Sequence, residues 1–430
     1  VYYFQGAYTE AEPWYLLSKT IREKALGAAH PDYGKSVNNL AILYDVMGRY
    51  EKAEPLYLEV IALREKTPGK ESAAFASALS NLAGLYMQMG QYEKAEKLSL
   101  ETLAIREKVL GKQHPDYASS LQNLANLYYE LHNFEKAEPL YLESQAIREA
   151  AGDRESADYF YGLDNLGVLY QAMGQYKRAE VLLLESKNLR EKTVGGTNPD
   201  FALSLNHLAN LYRLMRDYSS AETYFLQSQS IGEQMLGREH PNNIINLESL
   251  AVLYSEIGQH EKAVPLLLEC HALYAKILGK EHPYYASNLD FLGAAYWASG
   301  DMLRAESAFL ESARLKRQLL ENAARHLSER ELASYIRDFT KGLAVNCSFA
   351  GRQPELTATC YDDVLFYKGF LLNAASQLQK LASSNPADAE KYNLLKSCRR
   401  RLAVEYAKPL SERKDATALE TEADQIEKDL

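Results

Sequence analysis

Asn39-Leu40-Ala41-Ile42-Leu43-Tyr44-Asp45-Val46-Met47-Gly48-Arg49-Tyr50-Glu51-Lys52-Ala53-Glu54-Pro55-Leu56 is the stretch whose reading decides the fold. Val37, Leu40, Ala41 and Tyr44 fall at the spacing of one helical face. Gly48 predicts the end of that helix, because glycine enters a left-handed conformation without steric cost. A second helix is expected next, with Ala53, Leu56, Tyr57, Val60 and Ile61 as its apolar stripe. Pro55 is expected early in that helix, where a missing N–H costs little, and Pro13, Pro139 and Pro265 share its phase.

The stretch recurs along the chain. Steps of 42 residues from Gly48 reach Gly6, Gly90, His132, Gly174, Arg216, Gly258 and Gly300. Five positions beyond each stands an alanine: Ala11, Ala53, Ala95, Ala137, Ala179, Ala221, Ala263 and Ala305. A strict period in this range predicts an all-α solenoid of helix-turn-helix units that bury their apolar faces on one another. The recurring alanine marks the closest approach of two helices, where a larger side chain would clash.

Between units runs a connector such as Leu110-Gly111-Lys112-Gln113-His114-Pro115-Asp116. Gly27, Gly69, Gly111, Gly195, Gly237 and Gly279 are expected to close the second helices, with Gly152 substituting where Asp153 breaks the series. Before the next helix the phase holds His30, Ser72, His114, Ser156, Asn198, His240 and His282. Serine and asparagine there read as N-caps, and proline suits the first helical position. The histidines stand in separate repeats and read as a ladder of caps, so no metal site is expected.

Composition narrows the function further. The net charge of -10 argues against a surface that tracks phosphates, so no nucleic-acid partner is expected. Cys270, Cys347, Cys360 and Cys398 fit no disulfide or zinc spacing, which points to a reducing, cytoplasmic setting. No apolar run approaches the roughly 18 residues needed to span a bilayer, so no membrane partner is expected. No phosphate loop, metal spacing or paired carboxylates appear, so neither cofactor nor catalysis is expected in these residues. The chain opens inside a repeat, with Val1 to Gln5 as the last turn of a first helix, and further sequence is expected upstream.

Asn-Leu-Ala-x-Leu-Tyr, then Gly-x-Tyr, Ala-Glu-Pro-Leu and Leu-Gly-x-x-His-Pro together resemble tetratricopeptide repeats of the kinesin-light-chain type. The resemblance covers residues 1–320, as one half-repeat and seven full ones. It implies a right-handed superhelix whose first helices line a concave groove that holds a protein or extended peptide. The position before the first-helix leucine carries Asn39, Asn81, Asn123 and Asn165, followed by His207, Ser249 and Phe291. Asn206 lies one residue earlier in phase, and Asn126 and Asn210 three residues later. An amide both donates and accepts, so such a ladder can pair with an extended backbone whatever its sequence. In the family that it resembles, asparagines at this phase line the groove; the same amides could instead brace neighbouring helices. Tyr129, Arg213 and Trp297, near the ends of first helices, are candidate anchors, though the aromatics suit inter-repeat packing equally. Lys35 and Arg213 are too few cations for a carboxylate clamp or an acidic cargo.

After Leu320 the period fails, and residues 321–430 are expected to form a non-repeat helical adaptor. Ser328-x-x-Glu331 reads as a capping box. Helices are expected over Pro354–Leu381 and Pro386–Lys408, and the stripe Leu419, Ala423, Ile426 and Leu430 suits a helix that packs on another. Tyr361-Asp-Asp-Val-Leu-Phe-Tyr-Lys368-Gly369 with Arg399-Arg400-Arg401-Leu402 resembles the segment that precedes CHAT domains. Those are caspase-like proteases, mainly bacterial, often fused behind tetratricopeptide repeats. Cys360 lacks the strand and general base of a protease nucleophile, and the three arginines read as a solvated helix face. The resemblance implies the sensing module of a protease whose catalytic domain lies downstream. The alternative is a stand-alone adaptor or cargo scaffold.

Overall fold

The computed structural model describes residues 2–280, 282–323 and 386–406, together with positions 419, 422, 423 and 426. Every regular element among them is helical. A 3-10 turn at Tyr2–Gln5 precedes α1 (Tyr8–Leu26), α2 (Pro31–Val46), α3 (Tyr50–Lys66), α4 (Ala73–Gln88) and α5 (Tyr92–Leu110). Then come α6 (Pro115–Glu130), α7 (Phe134–Ala150), α8 (Ala157–Ala172), α9 (Tyr176–Val194) and α10 (Pro199–Leu214). The series continues with α11 (Tyr218–Leu236), α12 (Pro241–Glu256), α13 (His260–Ile277), α14 (Pro283–Ala298) and α15 (Met302–Ala323), and α16 spans Pro386–Tyr406. The chain divides into two compact units after Ala308.

In the first unit each helix packs mainly on its predecessor and its successor, as stacked helix pairs must. One apolar core runs from Tyr8 to Leu211, and a second continues it from Ala209 to Ala263. The recurring alanines from Ala11 to Ala305 are all buried. Leu40, Leu82, Leu124, Leu166, Leu208, Leu250 and Leu292 are buried at one first-helix phase. Truncating such a leucine to alanine costs about 2–5 kcal/mol.

The caps are built as the sequence implies. Nδ1 of His30, His114, His240 and His282 accepts the backbone N–H two residues on. Ser72 and Ser156 accept from Phe75 and Tyr159, and Asn198 accepts from Asp200. Gly111 closes α5 at φ 84°, ψ 160°, a region that side chains exclude. Gly48 has φ 67°, and a Cβ there would lie 3.1 Å from the His282 ring, so the α2–α3 turn touches the connector before α14.

The expected place of Pro55 needs correction. It stands in the second turn of α3, inside the helix, as do its counterparts in α1, α7 and α13. The proline therefore removes a real helical bond, to the Glu51 carbonyl. Pro55 is exposed, so solvent can serve that carbonyl and the helix tolerates the ring.

In the second unit, α16 follows the expected Pro386–Lys408 closely. Leu395 and Cys398 of α16 pack with Leu419 and Ala423, flanked by Tyr392 and Ile426. The Cys398 thiol donates to the Leu419 carbonyl at 3.3 Å. The described part of the C-terminal stripe, Leu419, Ala423 and Ile426, thus has its partner in α16. Arg400 and Arg401 are exposed, and Arg401 approaches Glu422 at 3.8 Å. The capping box at Ser328, the helix over Pro354–Leu381, Lys368-Gly369, Cys347 and Cys360 lie outside the described residues.

Candidate functional site

α2 presents one partly exposed, mainly polar face at residues 35, 38, 39, 42 and 45, and the later first helices carry their asparagines at the same phases. Asn39 and Asn123 are exposed there, while Asn81 and Asn165 are half-buried. The amides of Asn81, Asn123 and Asn165 reach the preceding repeat. Asn81 Nδ2 donates to Asn38 Oδ1 at 2.9 Å, Asn123 Nδ2 to Ser80 Oγ at 3.1 Å, and Asn165 Nδ2 to Asn126 Oδ1 at 3.2 Å. Asn126 Oδ1 also accepts from the Tyr141 hydroxyl at 2.6 Å. Asn206 Nδ2 donates to Asn246 Oδ1 at 2.7 Å, and Asn210 Nδ2 to Asn206 Oδ1 at 3.0 Å.

The structure therefore gives the ladder a bracing role in the sequence of repeats. Bracing does not exhaust the groups. An amide carries two N–H donors and a carbonyl with two lone pairs. Among the described residues, Asn81, Asn123 and Asn165 each use one donor, and no bond is recorded to their Oδ1 atoms. One acceptor and one N–H remain at each rung.

The anchor candidates differ from one another. Tyr129 is half-buried against the main core, its ring 5.8 Å from that of Phe134, with burial raising its hydroxyl above the ordinary value. Arg213 forms an ion pair with Glu256 of α12 and so spans a joint itself. Trp297 is half-buried on α14.

Two ladders inside the stack escaped the sequence reading. Tyr44, Tyr86, Tyr128, Tyr170, Tyr212 and Tyr254 each donate to a glutamate 32 residues earlier, from Glu12 to Glu222. Burial comes first in raising the Tyr44 hydroxyl, to about 12, and the bond to Glu12 adds to it. The second ladder is Arg22, Arg64, Arg106, Arg148 and Arg190, one per repeat. Arg106 donates to the Asp116 carbonyl, Ser120 Oγ and Ser77 Oγ, and so ties three helices together. Arg190 pairs with Asp164, both 1% exposed, and donates to Ser204. The phase then changes to Gly232 and Tyr274. A 42-residue search for arginine would have found this series.

The opposite face of the array carries Leu58, Leu100, Leu142, Leu226 and Leu268, each 45–47% exposed at one second-helix phase. Among the described residues no cluster of His, Cys, Asp and Glu is arranged to hold a metal ion. No described helix is long and apolar enough to cross a membrane.

A tetratricopeptide repeat profile matches residues 1–66, 74–150, 158–234, 200–276 and 243–318. The chain belongs to the tetratricopeptide repeat family. No curated protein matches it. Among solved structures it is similar to BtubC (BKLC) from P. vanneervenii, at 22% identity and TM-score 0.44, over 54% of this chain and 92% of that one. A Podosopora anserina chain of nearly identical TPR-like repeats shares 28% identity, at TM-score 0.40, over 48% of this chain and 97% of that one. The apo form of RapI aligns over 67% of this chain and 99% of its own, at 13% identity and TM-score 0.50. A tetratricopeptide repeat stack of this kind is a scaffold suited to protein–protein interaction.

Proposed function

We propose that the repeat array binds an extended peptide or a strand-like segment of a protein along the face formed by its first helices. The observation that carries this reading is the row Asn81, Asn123 and Asn165, each engaged in bracing yet retaining a donor and an acceptor. Successive rungs can then meet successive backbone amides, which gives affinity with little sequence demand. Tyr129 and Trp297 supply the contacts that discriminate. Binding, not catalysis, is the work of this chain.

We further propose that the event is passed to a caspase-like domain, because Tyr361 to Leu402 resembles the segment preceding CHAT domains. Occupation of the groove would favour one curvature of the stack and shift that domain between two states. Reading the gene beyond Leu430 tests this. A domain with a histidine and a cysteine behind separate strands supports it, and an unrelated domain or a stop codon ends it.

The groove reading is tested by selecting random peptides on the intact chain and on Asn81→Ala/Asn123→Ala. Each alanine also removes a brace, so circular dichroism must first show the variant folded. Selected peptides should lose at least tenfold in affinity for it. Equal affinity for a folded variant would overturn the reading.

A further inference from the structure

Three joints of the array carry a polar trio at fixed phases: one residue from a first helix, one from the following second helix, and one from the next first helix. At the α8–α9–α10 joint these are Asp164, Arg190 and Ser204. The guanidinium neutralises the carboxylate, and both are sealed from solvent. Two repeats on, the same phases hold Glu248 in α12, Tyr274 in α13 and Asn288 in α14. The carboxylate has returned, but a phenol stands where the arginine stood.

Glu248 Oε1 accepts from Asn288 Nδ2 at 2.8 Å, and Oε2 accepts from the Tyr274 hydroxyl at 3.3 Å. Among the described residues no cation pairs with it. Asn288 is fully buried, and its Oδ1 has no hydrogen-bond partner among the described residues. The Glu248 carboxylate thus stands without a cation at a joint whose counterpart supplies a guanidinium. Burial pushes the carboxyl up to about 7, as befits a charge without a counter-charge. Unlike Asp164, Glu248 keeps part of its surface exposed, on the polar face of α12. Phe291 is exposed one turn along α14 from Asn288 and can cover the aliphatic stem of a long cationic side chain.

We propose that Glu248, held in place by Asn288 and Tyr274, forms a subsite for a cationic group of the bound segment, a lysine or arginine side chain. That group would supply from outside the charge that Arg190 supplies from within at the Asp164 joint. The proposal rests on the groove reading above and assigns it a ligand class: an extended segment with one fixed basic position.

The test is peptide selection from a random display library on the full chain, on Glu248→Gln and on Tyr274→Arg, at physiological salt. Glu248→Gln keeps the shape and the acceptor, and Tyr274→Arg fills the subsite from inside. On the unaltered chain the enriched sequences should share one Lys or Arg position. On both variants that preference should vanish while the other positions persist. Replacing the selected lysine by norleucine should weaken binding at least tenfold to the unaltered chain and less than twofold to Glu248→Gln. Enriched sequences without a basic position, or a basic position retained by both variants, would overturn the subsite and leave the groove reading standing. No enrichment on any of the three would overturn both.

Discussion

Removing the buried guanidinium at the α8–α10 joint should cost far more than removing the whole ion pair. Arg190 and Asp164 are both 1% exposed, and Ser186 and Ser204 beside them are fully buried. Arg190→Met strands the Asp164 carboxylate among these groups. Breaking one half of a buried pair costs about 3–5 kcal/mol. The escape is protonation, which for an ordinary carboxyl near 3.9 costs about 1.4 kcal/mol per pH unit, or roughly 4 kcal/mol at pH 7. The two figures agree. At about pH 4 the protonation cost disappears, and only the lost hydrogen bonds remain, at about 1 kcal/mol each. His207 lies within reach of both charges, with burial lowering its imidazole below the ordinary value. A His207→Asn background removes it as an alternative source of charge. Replacing both partners, as Asp164→Leu/Arg190→Met, should cost under about 2 kcal/mol. Repeat arrays need not unfold in one step, so hydrogen exchange in α8–α10 should accompany denaturant unfolding. A single variant costing under about 1 kcal/mol at pH 7, or a double variant as unstable as the single, would refute the reasoning.

Three further outcomes follow from the same geometry. Gly232→Ala should destabilise by about 1–3 kcal/mol in thermal or denaturant unfolding, because a Cβ would stand 1.9 Å from Asn243 Oδ1 and evict the side chain that donates to the Gly237 carbonyl. Glu248, raised to about 7 by burial, favours folding fully below the ordinary carboxyl value and loses that contribution as pH rises through 7; Tyr274, Asn288 and the Cys270 thiol face it, and Glu248→Gln should flatten this slope in stability measured across that range. His282, lowered to about 4 by burial, acts oppositely: its cap is intact above the ordinary imidazole value and is lost as pH falls through 4, so His282→Asn should remove the acid-side loss while keeping the cap.

The fold was legible because one physical demand repeats. Two helices can approach closely only over a small residue, and the alanines from Ala11 to Ala305 record that demand at every step. The caps were equally plain, since His114, Ser156 and Asn198 each precede a helix start at one phase. Pro55 misled because phase counts residues from a neighbour, whereas the cost of a proline depends on where the helix begins. The groove was half legible. Phase showed which face Asn81, Asn123 and Asn165 occupy, but a row on one face says nothing of which atoms the row reaches sideways. The arginine joints were hidden for the same reason. Asp164 and Arg190 stand 26 residues apart on helices of different kind, a separation with no local signature. Only the break in the series at Tyr274 makes Glu248 unusual, and that break has meaning only beside the intact joint.

The most direct test of the binding groove is site-specific photo-cross-linking of a selected peptide. A photoreactive benzoyl-phenylalanine would be placed at Asn123 on the first-helix face, or at Leu142 on the opposite face, both exposed. The account predicts a covalent adduct from the Asn123 position and none from Leu142. An adduct from Leu142 alone would move the binding surface to the second-helix leucines and contradict the account.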